Sequence, residues 1–186
     1  MKWCETQVNS NCCNVTCGCG EQNDNAQKKR IVIDFMYLDL SVCDRCKGTE
    51  GSLEEAISDV ARVLELTGAE VVVNKIHIDS EEKAIQYRFK SSPTIRINGK
   101  DIQLEVEESL CESCGDLCGD EVDCRVWVYN GKEYNVPPKA MIVDAILREV
   151  YGSGSSSDID NKEEQKYQLP ENLKRFFQAM RGKGEK

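Results

Sequence analysis

Apolar and polar positions along the 186-residue chain fall into alternating strand-like and helix-like runs. Ile31 to Leu40 (IVIDFMYLDL) is a mainly apolar stretch of strand length. After Cys46, the apolar residues Leu53, Ala56, Ile57, Val60, Ala61, Val63 and Leu64 recur at helical spacing, and Gly68 supplies a stop. Glu70 to Ile78 (EVVVNKIHI) is rich in β-branched residues and predicts a buried strand. Asp79 and Ser80 are capping residues for a second helix reaching about Phe89. Thr94 to Ile97 is a short alternating strand, and Asn98-Gly99 is a hairpin signal leading to an antiparallel strand at Asp101 to Val106. A further strand is expected at Cys124 to Tyr129, followed by a turn at Asn130-Gly131, and Pro137-Pro138 introduces a helix from Lys139 to about Val150. Past Pro170, Leu173, Phe176, Phe177 and Met180 form an apolar stripe in a charged tail, which is expected to dock on its own domain or on a twin subunit.

Breaks in this pattern divide the chain. Residues 1–28 carry Cys4, Cys12, Cys13, Cys17 and Cys19 among Asn, Gln, Gly and Thr, with hardly any periodicity, and read as a flexible cysteine-rich tail. One domain is expected over 29–151, interrupted by a Gly-, Asp- and Cys-rich insertion at 109–123. GSGSSS opens a flexible linker assigned to 152–168, and 169–186 hold the short amphipathic helix and its tail. Strand, helix, strand, helix and hairpin in that order predict an α/β fold of the α+β type, with a central mixed sheet flanked by helices.

Composition changes this picture at the cysteines. A chain of this length buries a core without needing disulfides or metal, so its 11 cysteines are not required simply to fold it. An odd count leaves at least one thiol free, metal-bound or intermolecular. The net charge of -9 and a pI near 4.8 repel nucleic acid and anionic membrane surfaces, and no basic stripe offsets them. No run approaches the ~20 apolar residues of a membrane span, and the N-terminus lacks a signal-peptide apolar region, so a cytoplasmic location is expected. In a reducing cytosol, clustered cysteines are more often catalytic, redox-sensing or metal-binding than structural disulfides. No GxxxxGK[ST], GxGxxG or HExxH pattern occurs, so nucleotide, dinucleotide and metalloprotease readings have no motif support.

The first strand runs into Cys43-Asp44-Arg45-Cys46, directly before the first helical pattern. Cys43 is thereby placed at a helix N-terminus, where backbone N–H groups favour a thiolate. In a thiol-exchange reading Cys43 attacks and Cys46 resolves the mixed disulfide, with a protein or small-molecule thiol or disulfide as partner. Arg45 stabilises the thiolate and Asp44 opposes it. Half of a structural zinc site is the alternative for the same CxxC, with thiol chemistry preferred because the pair follows a strand–helix junction rather than a zinc knuckle.

Ser92-Pro93-Thr94 stands at the start of the strand after the second helix. With the CxxC, this resembles the thioredoxin-like superfamily over about Arg30 to Tyr151. The resemblance implies a three-layer fold in which a cis-proline lies against the CxxC and the backbone of the preceding residue pairs with substrate. On that basis Cys43, Cys46 and Pro93 form the catalytic set, while Arg45, Ser92 and Thr94 border the substrate; an ordinary trans turn proline is the alternative for Pro93. The stretches YLDLSVCDRCKGTE, SPTIRINGKDI and CRVWVYNGKEY resemble a narrower family of small prokaryotic thioredoxin-like proteins, defined only as a domain of unknown function. The chain departs from ordinary thioredoxins in lacking a Trp before the first cysteine, and from glutaredoxins in lacking a Tyr within the CxxC.

A second group, Cys111, Cys114, Cys118 and Cys124, lies in the glycine-rich insertion. Four thiolates so close suit a tetrahedral zinc site or a softer metal; disulfides, a relay to Cys43 and Cys46, or solvated loop thiols are the alternatives. Cys12, Cys13, Cys17 and Cys19 offer a thiol arm for copper(I), mercury(II) or arsenite, or are incidental to a loose tail. His77, the single histidine, is expected as a partly buried strand residue with a satisfied hydrogen bond. Three functions therefore stand open. They are a thiol-disulfide oxidoreductase, a non-enzymatic carrier of zinc or a soft metal or metalloid, and an interaction module forming a homodimer through its C-terminal helix.

Overall fold

The computed structural model describes residues 29–152 and 167–184. Strand β1 (Lys29–Tyr37) sends Ile31, Ile33 and Phe35 to one face, all fully buried, while Met36 points the other way. It pairs in parallel with β2 (Ala69–His77), Ile31 opposite Val71 and Phe35 opposite Lys75. Its other neighbour is β3 (Thr94–Ile97), antiparallel, which in turn pairs with the two-residue β4 (Lys100–Asp101). The result is a mixed sheet in the order β2-β1-β3-β4. β2 was expected to be buried, yet it lies at the sheet edge with Asn74 and Lys75 exposed. Charged and polar side chains on an unpaired edge discourage pairing with another chain.

Helix α1 (Asp44–Leu66) buries Leu53, Ala56, Val60 and Leu64 on the Ile31 face. Helix α4 (Lys139–Tyr151) lies beside it and adds Met141, Ile142 and Ile146. Gly68, at φ +73, makes the reversal from α1 into β2. Helix α2 (Glu81–Gln86) is capped by Ser80, whose Oγ accepts from Lys83 N. It is shorter than the expected helix to Phe89, because Arg88 turns to φ 47 and lets Phe89 bury itself.

The pattern of alternation predicts a strand over 101–106, but the chain leaves the sheet after Asp101 to start a second one. This three-stranded sheet has the order β5-β6-β7, from β5 (Glu107–Leu110), β6 (Asp123–Tyr129) and β7 (Lys132–Tyr134), all antiparallel. Between β5 and β6 the expected irregular insertion contains a short helix, α3 (Glu112–Cys118), ended by Gly119 in the left-handed region. Gly115 within it and Gly119 after it masked the helical signal. Buried Arg125 ties the second sheet to the first. Its two terminal nitrogens bond the two Asp101 carboxylate oxygens at 2.8 Å each, and its backbone N donates to Ser92 O at 2.7 Å.

Helix α5 (Glu171–Gly184) packs on α2 and α3, with Leu173, Phe176 and Phe177 buried against the chain's own core. Its apolar stripe is thus used within the chain. Lys183 Nζ caps the carbonyls of Leu117 and Asp116 at the end of α3. Among the described residues no helix is long and apolar enough to cross a membrane.

Candidate metal centre

The cysteines meet where α1, α3 and β6 converge. Cys43 is the N-cap of α1, in extended backbone, and its Sγ accepts from Cys46 N at 3.4 Å. Cys111 is the N-cap of α3, and Cys114 follows three residues later on the same side of the first turn. Cys124 comes from β6, with its Sγ 3.4 Å from that of Cys114. The Sγ atoms of Cys43, Cys111, Cys114 and Cys124 all lie within 4.8 Å of one another, and all four residues are buried. A zinc ion with Zn–S bonds of about 2.3 Å needs its four sulfurs about 3.8 Å apart. The 3.4 Å approach of Cys114 and Cys124 and the 4.8 Å limit on every pair bracket that spacing.

Its electrostatics follow from crowding. The bonds that Cys43 receives from Cys111, Cys114 and Cys124 hold its thiol far below the ordinary range. Cys111 is lowered to about 6 by bonds from Cys114 and Cys124. The thiols of Cys114 and Cys124 are pushed up, chiefly because each bonds Cys111 as a donor. Four negative sulfurs cannot coexist at these distances without a positive partner, which is why the shifts run in opposite directions, down at Cys43 and Cys111 and up at Cys114 and Cys124. The N-terminus of α1 offsets part of this charge. Arg45 adds a full positive charge nearby: its guanidinium donates to Cys124 O at 3.0 Å and Leu110 O at 2.8 Å, and to Ser109 Oγ at 2.9 Å.

The structure sorts the other expected site residues differently. Cys118, placed with the insertion cysteines as a ligand, is not in the quartet; Cys43 takes that place. Cys118 sits one helical turn beyond Cys114, a rise of about 6 Å. Its Sγ faces the carbonyls of Gly115 and Asp120 instead. Cys46 is buried beside the quartet with its Sγ 3.3 Å from Ser92 Oγ, and its thiol is pushed up by the bond to Cys43 and by burial. The Ser92–Pro93 peptide is cis. Ser92 O, part of the backbone that the thioredoxin resemblance offers to substrate, accepts from Arg125 N of the chain's own β6. Thr94 is buried and its Oγ1 donates to Ser91 O, while Arg45 clamps β5 and β6 to α1 from the wall of a cavity. His77 is more exposed than expected; its Nε2 is 2.9 Å from Leu38 O and its ring stacks on Tyr37. Cys12, Cys13, Cys17 and Cys19 lie outside the described residues, as do 153–166 of the expected linker. The CxxC marked Cys43 as half of a candidate zinc site, but nothing in the sequence joined it to Cys111, 68 positions away.

Fold and site together define a mixed α/β domain with a buried four-cysteine cluster built between its core and an inserted sheet. The chain belongs to the DUF2703 family, described as a domain of unknown function, which it matches over residues 31–146. No curated protein and no solved structure matches it.

Proposed function

We propose that this protein is a thiolate metal-binding domain on a thioredoxin-like scaffold, holding a soft divalent cation, zinc first, through Cys43, Cys111, Cys114 and Cys124. The observation that carries the reading is the mutual approach of those four buried sulfurs. Sulfur-only tetrahedral sites select zinc or iron over harder cations, which prefer oxygen. A centre closed by four protein ligands is a binding or structural site, with no position left for a substrate water. The scaffold part of the proposal is supported by the parallel β1 and β2 pair, the antiparallel β3 and β4, the CxxC at the start of α1 and the cis-proline before β3. A reducing compartment such as the cytoplasm keeps such thiols available.

The test is elemental analysis of anaerobically purified protein together with single serine variants. One cation per chain is expected in the parent and in Cys118→Ser, and loss of it in Cys43→Ser and Cys114→Ser. Protein that takes up no zinc or iron under reducing conditions, or a Cys43→Ser variant that binds as tightly as the parent, overturns the reading. A second reading, thiol-disulfide exchange at Cys43 and Cys46, is favoured by one observation. Cys46 stands outside the quartet yet bonds Cys43, so Cys43 keeps a partner for disulfide formation.

A further inference from the structure

Cys43 belongs to two groups of sulfurs at once. It completes the quartet with Cys111, Cys114 and Cys124, and it faces Cys46, whose backbone N bonds its Sγ at 3.4 Å. Cys46 is itself fully buried, outside the quartet and held by Ser92 Oγ. A sulfur in a disulfide has no thiolate charge to give a cation, so the two uses of Cys43 exclude each other. We infer that the Cys43–Cys46 pair is a redox-operated release for the metal: a low-molecular-weight disulfide is reduced there, and the cation leaves as Cys43 is withdrawn. This rests on the metal-binding reading above.

The chemistry balances with that disulfide as oxidant. The Cys43 thiolate attacks one of its sulfurs, the reagent's S–S bond breaks, and a thiolate departs. Cys46 gives its proton to that thiolate and attacks Cys43 Sγ, which forms the Cys43–Cys46 bond and expels the second thiolate. Two electrons pass from the two cysteines to the reagent, which ends as two thiols, one of them ionised. A cavity of about 560 Å³ lies against this region, its wall including Cys111, Ser113 and Val136 along with Asp44 and Arg45, the residues between Cys43 and Cys46; the two cysteines themselves are buried just behind that wall. Three thiolates remain, one short of the closed set, and the cation passes from them to water or to another acceptor.

Mutual exclusion is reciprocal: whatever factor the disulfide takes from metal affinity, the metal takes from disulfide formation. Zinc-loaded protein equilibrated in buffers of rising glutathione disulfide to glutathione ratio tests this, with bound zinc and mapped disulfides read at each ratio. The parent is expected to lose its zinc in step with a Cys43–Cys46 disulfide, and added zinc to move that transition to a more oxidising ratio. Cys46→Ser and Cys46→Ala keep all four quartet sulfurs and are expected to hold zinc through the range where the parent releases it. Zinc lost equally from both variants, or a parent disulfide formed among Cys111, Cys114 and Cys124 with Cys46 still reduced, overturns the release while leaving the metal site standing. A fully reduced parent that binds no zinc overturns the metal-binding reading as well.

Discussion

At the residue scale, the site depends on who pairs with whom in a dry interior. Arg125 is fully buried and its charge is answered by Asp101 through two bonds of 2.8 Å, with Trp127 under the guanidinium at 5.0 Å. Removing one partner of such a pair leaves an uncompensated charge and costs about 3–5 kcal/mol. Asp101→Ala is therefore expected to destabilise the protein by about that much in urea unfolding, and to loosen the β6 strand that carries Cys124. A second prediction concerns protons. Thiols must ionise before they bind a cation, so zinc affinity is expected to rise with pH and to fall as acid returns protons to sulfur. Competition with a chromophoric chelator between pH 6 and 8 would read this, and a flat profile would count against thiolate ligation.

At the element scale, α3 carries Cys114 and is preceded by its N-cap Cys111, two of the proposed ligands, on a helix of only seven residues, too short to be stable alone. Its support comes from α5, which buries Leu173, Phe176 and Phe177 in the core shared with Cys111, Cys114, Cys118 and Cys124. Phe177→Ala is expected to cost about 3–5 kcal/mol, as large-to-small changes at buried aromatics do. Because the ligand-bearing helix leans on this face, the same variant is expected to bind zinc more weakly under conditions where its circular dichroism still shows a folded chain. Unchanged affinity in that folded variant would mean that α3 is held by α1 and β6 alone. The stripe on α5 was legible from its spacing, whereas α3 was not. Two glycines in and after a seven-residue helix remove the propensity that periodicity relies on.

At the scale of the whole molecule, the proposed metal site would link cation binding to folding. A cation that binds only the native state stabilises it by about 4 kcal/mol when present at about a thousand times its Kd. For a chain of this size that amounts to a rise in Tm of roughly 8–16 °C, reversed by a chelator and measurable by calorimetry under reducing conditions. No shift on zinc addition would remove the cation from the native state's energetics. The sequence by itself determined the order of elements from β1 to β3 and the places of β6, α4 and α5, though not β5 or α3, because periods of two and 3.6 and the turn residues at Gly68, Asn98 and Gly99 are local properties. It also marked CxxC pairs as the chemistry-bearing sites. Only the tertiary structure decided which cysteines act together, joining Cys43 to Cys111, Cys114 and Cys124 and leaving Cys46 and Cys118 aside. Spacing along a chain constrains neighbours one or two turns apart, but contacts between distant segments depend on how whole elements pack. Here that packing is set by Arg125 on Asp101, by Arg45 on the β5 and β6 carbonyls, and by α5 closing over α3.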